Sequence, residues 1–223
     1  MSLSQAIESS PYSAETAALL EDDVLKQKAG GSPYTHLVGK TLLQSYANSN
    51  TMKVEMIANI LVLSLMRIST GDYLALSYIL PGRLVNGPAA NATIVFIAKC
   101  ADLLERCKYT AFWAERNGAE GKALFDSFAD FDKCIRGMAC KSMNKIIRNI
   151  PKEHLLPMLG LTATDTEILK TLPLLNASTV SANVVEMESM ELLNNKQPKN
   201  NDTLMSTGDI MSLVANLRSL AEV

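Results

Sequence analysis

Apolar positions recur at helical spacing along most of the chain. Ser13-Ala14-Glu15-Thr16, just after Pro11, opens the first such pattern. Leu19, Leu20 and Leu25 give it an apolar face, and Gly30-Gly31-Ser32-Pro33 stops it. The ten residues before it are polar and are expected to fray. A second helix is predicted from about His36 to Tyr46, followed by a turn at Asn48-Ser49-Asn50, with Thr51 as the next N-cap. Val54, Ile57, Leu61, Leu65 and Ile68 then share one helical face, while Met56, Ile60 and Leu63 make much of the rest apolar. A helix so apolar on most sides belongs between neighbours. Ser69-Thr70-Gly71-Asp72 breaks it, and Tyr73 to Leu80 resumes until Pro81-Gly82. A further helix is predicted from Asn91 or Thr93 to Arg106, with Ile94, Ile97, Ala101 and Leu104 on one side.

An internal echo lies in this pattern. Gly71-Asp72-Tyr73-Leu74-Ala75-Leu76 aligns with Cys107-Lys108-Tyr109-Thr110-Ala111-Phe112, each after an apolar helix and before a short amphipathic one. The Tyr-to-Tyr offset falls in the period range of helical repeats. Each Tyr is expected to close the groove between two antiparallel helices, and each following Ala to let them approach. Composition shifts near Asn117-Gly118 and Gly121, which places a boundary there. A long helix is predicted from about Phe125 to Asn149, with Ile135, Ala139, Met143, Ile146 and Ile150 as its apolar face. Pro151 to His154 opens a short helix closed by Gly160, and Thr162 or Thr164 caps another. From Ala177 to Glu188 the residues become β-formers, with Ser181-Ala182-Asn183 as the turn between two strands. Helix, short helix, helix and β-hairpin is the order of a winged helix. A polar linker from Asn194 and an amphipathic helix with Ile210, Leu213, Val214, Leu217 and Leu220 on one stripe end the chain.

The expected fold is therefore mainly α. A flexible N-terminus, 1–10, precedes a helical-repeat domain of HEAT or tetratricopeptide type, 11–120. A winged-helix domain of PCI type, 121–193, then carries the small hairpin, and 194–223 form the linker and C-terminal helix.

Composition narrows the chemistry. The 223 residues hold 21 basic and 23 acidic side chains, so bulk charge does not direct the chain to nucleic acid or anionic membrane. The four cysteines form no CxxC pair, and only two histidines could help them bind metal. No secretory signal is read at the start, so reduced thiols and a cytoplasmic location are expected. Gly39-Lys40-Thr41 resembles the end of a phosphate-binding loop, but Tyr34 stands where that loop needs its first Gly. His36 and His154 have no evident nucleophile or orienting carboxylate. No catalytic residue, cofactor or metal site is expected. Lys141, Lys145, Arg148 and Lys152 form a basic stripe if one helix carries them, and are candidates for contact with RNA or an acidic partner. Asp165 and Glu167 at the start of the following helix argue against its reading DNA.

Asp102-Leu103-Leu104-Glu105, Cys107 and Ala111-Phe112-Trp113 resemble the DLLE-x-C-x-x-x-AFW run of the K subunits of eukaryotic translation initiation factor 3. Tyr12, Glu15 and Ala18-Leu19-Leu20-Glu21 are similar to the first helix of that family. Phe128, Phe131-Asp132 and Ile135-Arg136 are similar to the entry of its winged helix, and Pro198-Lys199-Asn200 with Ile210-Met211 to its linker and tail. Departures are the Gly30–Pro33 loop, a wing without aromatics and a charged tail. The resemblance implies a non-enzymatic scaffold subunit, without membrane or small-molecule ligand. It implies assembly with other subunits of that factor, the L subunit first, and mostly indirect action on the small ribosomal subunit in translation initiation. Its partner-binding candidates here are Val180, Val184, Val185 and Met187 on the wing and Ile210, Leu213, Val214, Leu217 and Leu220 on the tail. Two other readings of the same fold are a scaffold subunit of a proteasome-lid or signalosome-like complex, and a nucleic-acid-binding winged helix.

Overall fold

The computed structural model describes residues 3–49, 51–86, 90–147, 149–172 and 184–187. All of these belong to one compact unit, Met1–Glu188. The candidates Val180, Ile210, Leu213, Val214, Leu217 and Leu220, and Arg148 of the basic stripe, lie outside the described residues.

The chain opens with α1 (Leu3–Ser9), where the apolar pattern gives no element; Ala6 anchors it in the interior. Next is α2 (Ala14–Lys28), started by Ser13, whose hydroxyl accepts from the Thr16 amide as the sequence suggests. It packs on α3 (His36–Ser49) and α4 (Val54–Leu65). Glu21 joins all three. It accepts from Tyr46 Oη at 2.6 Å and pairs with Lys53 Nζ at 2.7 Å. Burial would lift its carboxyl, but those two donors hold it below its usual value. Lys53, not Thr51, occupies the N-cap of α4, and it has no side-chain capping bond. From Ile57 to Leu65 every residue of α4 is buried, as its all-round apolar character requires. Gly39 is needed where α3 crosses this helix, because a Cβ there would stand 2.9 Å from Ile60 Cγ2. The resemblance of Gly39-Lys40-Thr41 to a phosphate loop thus has a packing cause, and Lys40 is exposed.

After a 3₁₀ turn, Ile68–Thr70, come α5 (Asp72–Ser77), α6 (Gly82–Val85), α7 (Ala92–Glu105) and α8 (Tyr109–Asn117). Asn91 caps α7, accepting from the amides of Thr93 and Ile94. The internal echo is visible in the backbone. Gly71 and Cys107, the aligned residues before α5 and α8, both adopt the left-handed conformation, with φ of 80° and 55°. Tyr73 and Tyr109 are both buried, and Leu76 and Phe112 fully so. The aligned alanines do not act as expected. Ala75 and Ala111 are exposed, so the repeated inward contacts come from the Tyr and the residue three later.

The predicted long helix from Phe125 is two helices, α9 (Ala119–Phe125) and α10 (Phe131–Asn144). The break between them has three identifiable ties. Ser127 Oγ donates to the Leu124 carbonyl, the Ala129 amide donates to Lys28 O at the end of α2, and Lys28 Nζ lies 4.8 Å over the Phe128 ring. The kink lets Phe125, Phe128 and Phe131 all point inward. At its other end α10 stops early, leaving Ile146 86% exposed rather than on the apolar face. Ile150 instead enters β1 (Asn149–Pro151), followed by α11 (Lys152–Leu159), α12 (Thr166–Thr171) and β2 (Val184–Glu186). Among the described residues the sheet is antiparallel β1–β2, with Ile150 opposite Val185. The strand around Val184 thus pairs, among the described residues, with a segment about 35 residues earlier in sequence, a pairing that the sequence pattern does not predict. The turn expected at Ser181-Ala182-Asn183 and the strand expected before it lie outside the described residues.

Candidate interaction surfaces

The residues that carry the DLLE…AFW resemblance build a joint between the stacked helices and α10–α11. Leu104 ends α7 inside the core, Cys107 turns the chain, and Tyr109 and Phe112 begin α8 inside it again. Aromatic side chains are few in this protein, yet all five Phe and the single Trp are buried in this region. Phe125 and Phe131 stack at 4.3 Å between ring centroids, and Phe112 meets Trp113 edge-on at 5.3 Å. Trp113 faces the segment that follows. Its indole N–H donates to the Met158 carbonyl at 3.0 Å. Arg136 lies 4.9 Å over its ring and donates from Nε to the Leu159 carbonyl. Those carbonyls belong to the last turn of α11, so both side chains also cap a helix end. Gly160, at φ 62°, closes the turn against the indole; a Cβ there would meet Trp113 Cδ2.

A second clamp lies beside the first. Arg116, 9% exposed, donates from Nη2 to Asp126 at 2.6 Å and from Nε to Asp132 at 2.8 Å. It thereby ties α8 to the kink and to the first turn of α10. Burial works against its charge, and the two carboxylates outweigh that effect and raise its pKa. Arg136, with only a distant carboxylate at 3.9 Å, is pulled down by burial.

The candidate contact residues separate by burial. Val185 and Met187 lie inside the chain's own core, whereas Val184 is 47% exposed. Their alternation is that of a strand with one covered face. Lys141 is exposed on α10 and Lys145 just beyond its end, and Lys152 is half-buried at the start of α11. Lys141 and Lys145 thus share the end of α10, Lys145 being its C-cap, whereas Lys152 stands on a different helix, so no single helix aligns all three. His36 lies 3.5 Å from Asp72, and His154 is exposed beside Glu153, on α3 and α11 respectively. Among the four thiols Cys100 and Cys140 are buried, Cys134 is half-buried and Cys107 exposed, and none is in a disulfide. Among the described residues no cluster of His, Cys, Asp and Glu is arranged to hold a metal ion, and no helix is long and apolar enough to cross a membrane.

Sequence reasoning reached Trp113 but missed the Arg136–Gly160 pair beneath it and the Arg116 clamp. Arg136 is recognisable only through the resemblance, since an isolated Arg at helical spacing carries no other mark. Gly160 is legible as a helix stop, but not as the seat of an indole.

Two comparisons with known proteins agree with this arrangement. The chain is 30% identical over 132 residues to eukaryotic translation initiation factor 3 subunit K of Yarrowia lipolytica. That alignment covers 56% of each protein, so the chain matches just over half of its relative's length. The family model for CSN8/PSMD8/EIF3K matches residues 51–172, from just before α4 to the end of α12. That span is more than half of the chain and holds both halves of the internal echo, the Trp113 joint and the Arg116 clamp. The chain belongs to the CSN8/PSMD8/EIF3K family.

Proposed function

We propose that this protein is a non-enzymatic scaffold subunit of a translation initiation factor 3 complex, in the position of subunit K. The observation that carries the reading is the similarity to the Yarrowia subunit, together with the Trp113 joint built from the run that resembles the K subunits. In this reading the helical stack up to about residue 120 and the following α10–β1–α11–α12–β2 segment are a repeat domain and a winged helix of PCI type. The element order α10, β1, α11, α12, β2 supports it, because a winged helix pairs the strand after its first helix with its wing. The L subunit is the first partner, other factor subunits follow, and contact with the small ribosomal subunit is mostly indirect. The location is cytoplasmic.

The wing contributes Val184 to the partner surface, while Val185 and Met187 hold the wing to its own domain. The tail contributes the stripe Ile210, Leu213, Val214, Leu217 and Leu220, read from sequence alone. Replacing Leu213 and Leu217 by Asp removes two stripe positions. The double variant is expected to lose its partners on affinity purification while its helical circular dichroism is retained. Retained partners with a retained fold would remove the tail from the proposal. Membership in a family that also includes CSN8 and PSMD8 supports a second reading, a scaffold of a signalosome or proteasome-lid type complex. Co-sedimentation with proteasomes instead of small ribosomal subunits would favour it.

A further inference from the structure

A cleft of about 520 Å³ lies between the 3₁₀ turn after α4 and the outer side of α10. Its apolar lining comes chiefly from Met66 and Met138, beside the hydroxyls of Ser69 and Thr70. Three cations stand around it, Arg67, Lys133 and Lys141, against one acid, Asp130. All four are exposed, and among the described residues none of the cations takes part in an ion pair. Some basic side chains elsewhere do find acids, as Lys26 with Asp22, Lys99 with Glu115 and Arg106 with Asp102. What distinguishes the cleft is that three cations gather around one acid. The cations also act on its wall. Burial lifts the Cys134 thiol, and Arg67 and Lys133 both work against that lift.

We infer that this cleft receives an acidic peptide segment carrying an apolar side chain, with Arg67, Lys133 and Lys141 holding its carboxylates and Met66 and Met138 its apolar residue. Charge complementarity selects the acid, since a bound carboxylate pair would neutralise the local surplus. The two thioethers select an apolar side chain, because methionine repacks around varied shapes. A nucleic acid fits less well. No aromatic side chain lines the cleft to stack on a base, and the chain as a whole is net negative. Lys141 thus stands at this cleft with Lys133, about two turns before it on α10, and with Arg67, which only the fold brings near. The inference does not depend on which complex the protein joins.

The test uses the full chain carrying ¹³C-methyl methionine, followed by NMR. The probes are synthetic peptides that combine Glu with Leu, the same peptides with Gln for Glu, and oligouridylate. The Glu peptide is expected to shift the Met66 and Met138 methyl resonances, and the Gln peptide to leave them in place. K133A/K141A should weaken the response about tenfold, as loss of two close charge contacts would. R67Q provides an independent variant outside α10 and should weaken it too. The inference is overturned if these two methyls do not move, if the Gln peptide moves them equally, or if both variants respond as the parent does. It is also overturned if oligouridylate moves them more than the Glu peptide, since the cleft would then be an RNA contact. None of those outcomes touches the scaffold reading, which co-purification tests separately.

Discussion

At the scale of single residues, Trp113 is held by three different forces, a hydrogen bond, a stacked guanidinium and a tight glycine. Gly160 is the one least able to change. An Ala there would keep an unfavourable left-handed backbone and drive a methyl into a ring that has nowhere to move. G160A is expected to lose about 2 kcal/mol or more in urea unfolding. A loss under about 0.5 kcal/mol would show that the turn opens freely. R116M removes a cation that two carboxylates share, and because Asp126 is 60% exposed the expected cost is about 1–2 kcal/mol. The thiols give a pH dependence. Burial, with Glu115 as a second cause for Cys100, pushes both Cys100 and Cys140 up to about 12 from an ordinary value of 9.0. Between those values the unfolded chain releases protons that the folded chain keeps. Their contribution is complete below about pH 9 and falls as pH rises towards 12. Tyr73 and Tyr109, pushed up to about 12 chiefly by burial, add to the fall from about pH 10. The urea midpoint should therefore drop steadily above about pH 9, and less steeply in C100A/C140A than in the parent. Equal slopes in the two proteins would remove the thiols from the account.

At the scale of elements, the wing offers the clearest contrast between adjacent positions. Val185 is fully buried opposite Ile150, and Val184 is half-exposed one residue away. V185D should unfold the β1–β2 end of the protein, with loss of thermal stability measured by calorimetry. V184D should leave the melting temperature nearly unchanged and weaken partner binding. If both variants melt alike, the face assignment of this strand is wrong. The element scale also shows why the sequence was readable in some places and not in others. Helices α3, α4 and α7 are long and periodic, and the caps at Ser13 and Asn91 are chemical signals. On α2 the expected face is only partly right, since Leu20 is buried with Val24 while Leu19 and Leu25 are exposed. The echo at Tyr73 and Tyr109 was legible too, though its working pair is Tyr with Leu76 or Phe112, not Tyr with Ala. The kink before α10 was not legible, because Phe125, Phe128 and Phe131 fit a helical period until the tie from Ala129 to Lys28 is known. Likewise β1 has three residues and one apolar side chain, too short to show alternation. The Arg67–Lys133–Lys141 cluster joins distant segments, and only the fold brings it together.

At the scale of the whole molecule, the two halves of the family match depend on one joint. The helical stack before Trp113 and the α10–α11 segment after it share one continuous core, so force on either is felt at the Trp113 and Arg116 contacts. Such a rigid joint suits a protein whose task is to hold partners at fixed positions, and the scaffold proposal needs no chemistry beyond that. The measurement that tests it most directly is affinity purification of the tagged full-length chain from its own cells, with mass spectrometry of what accompanies it. The account predicts other subunits of translation initiation factor 3, the L subunit foremost, in stoichiometric amounts together with small ribosomal subunits. Recovery of proteasome-lid or signalosome subunits in their place, or of no initiation factor subunit at all, would contradict it.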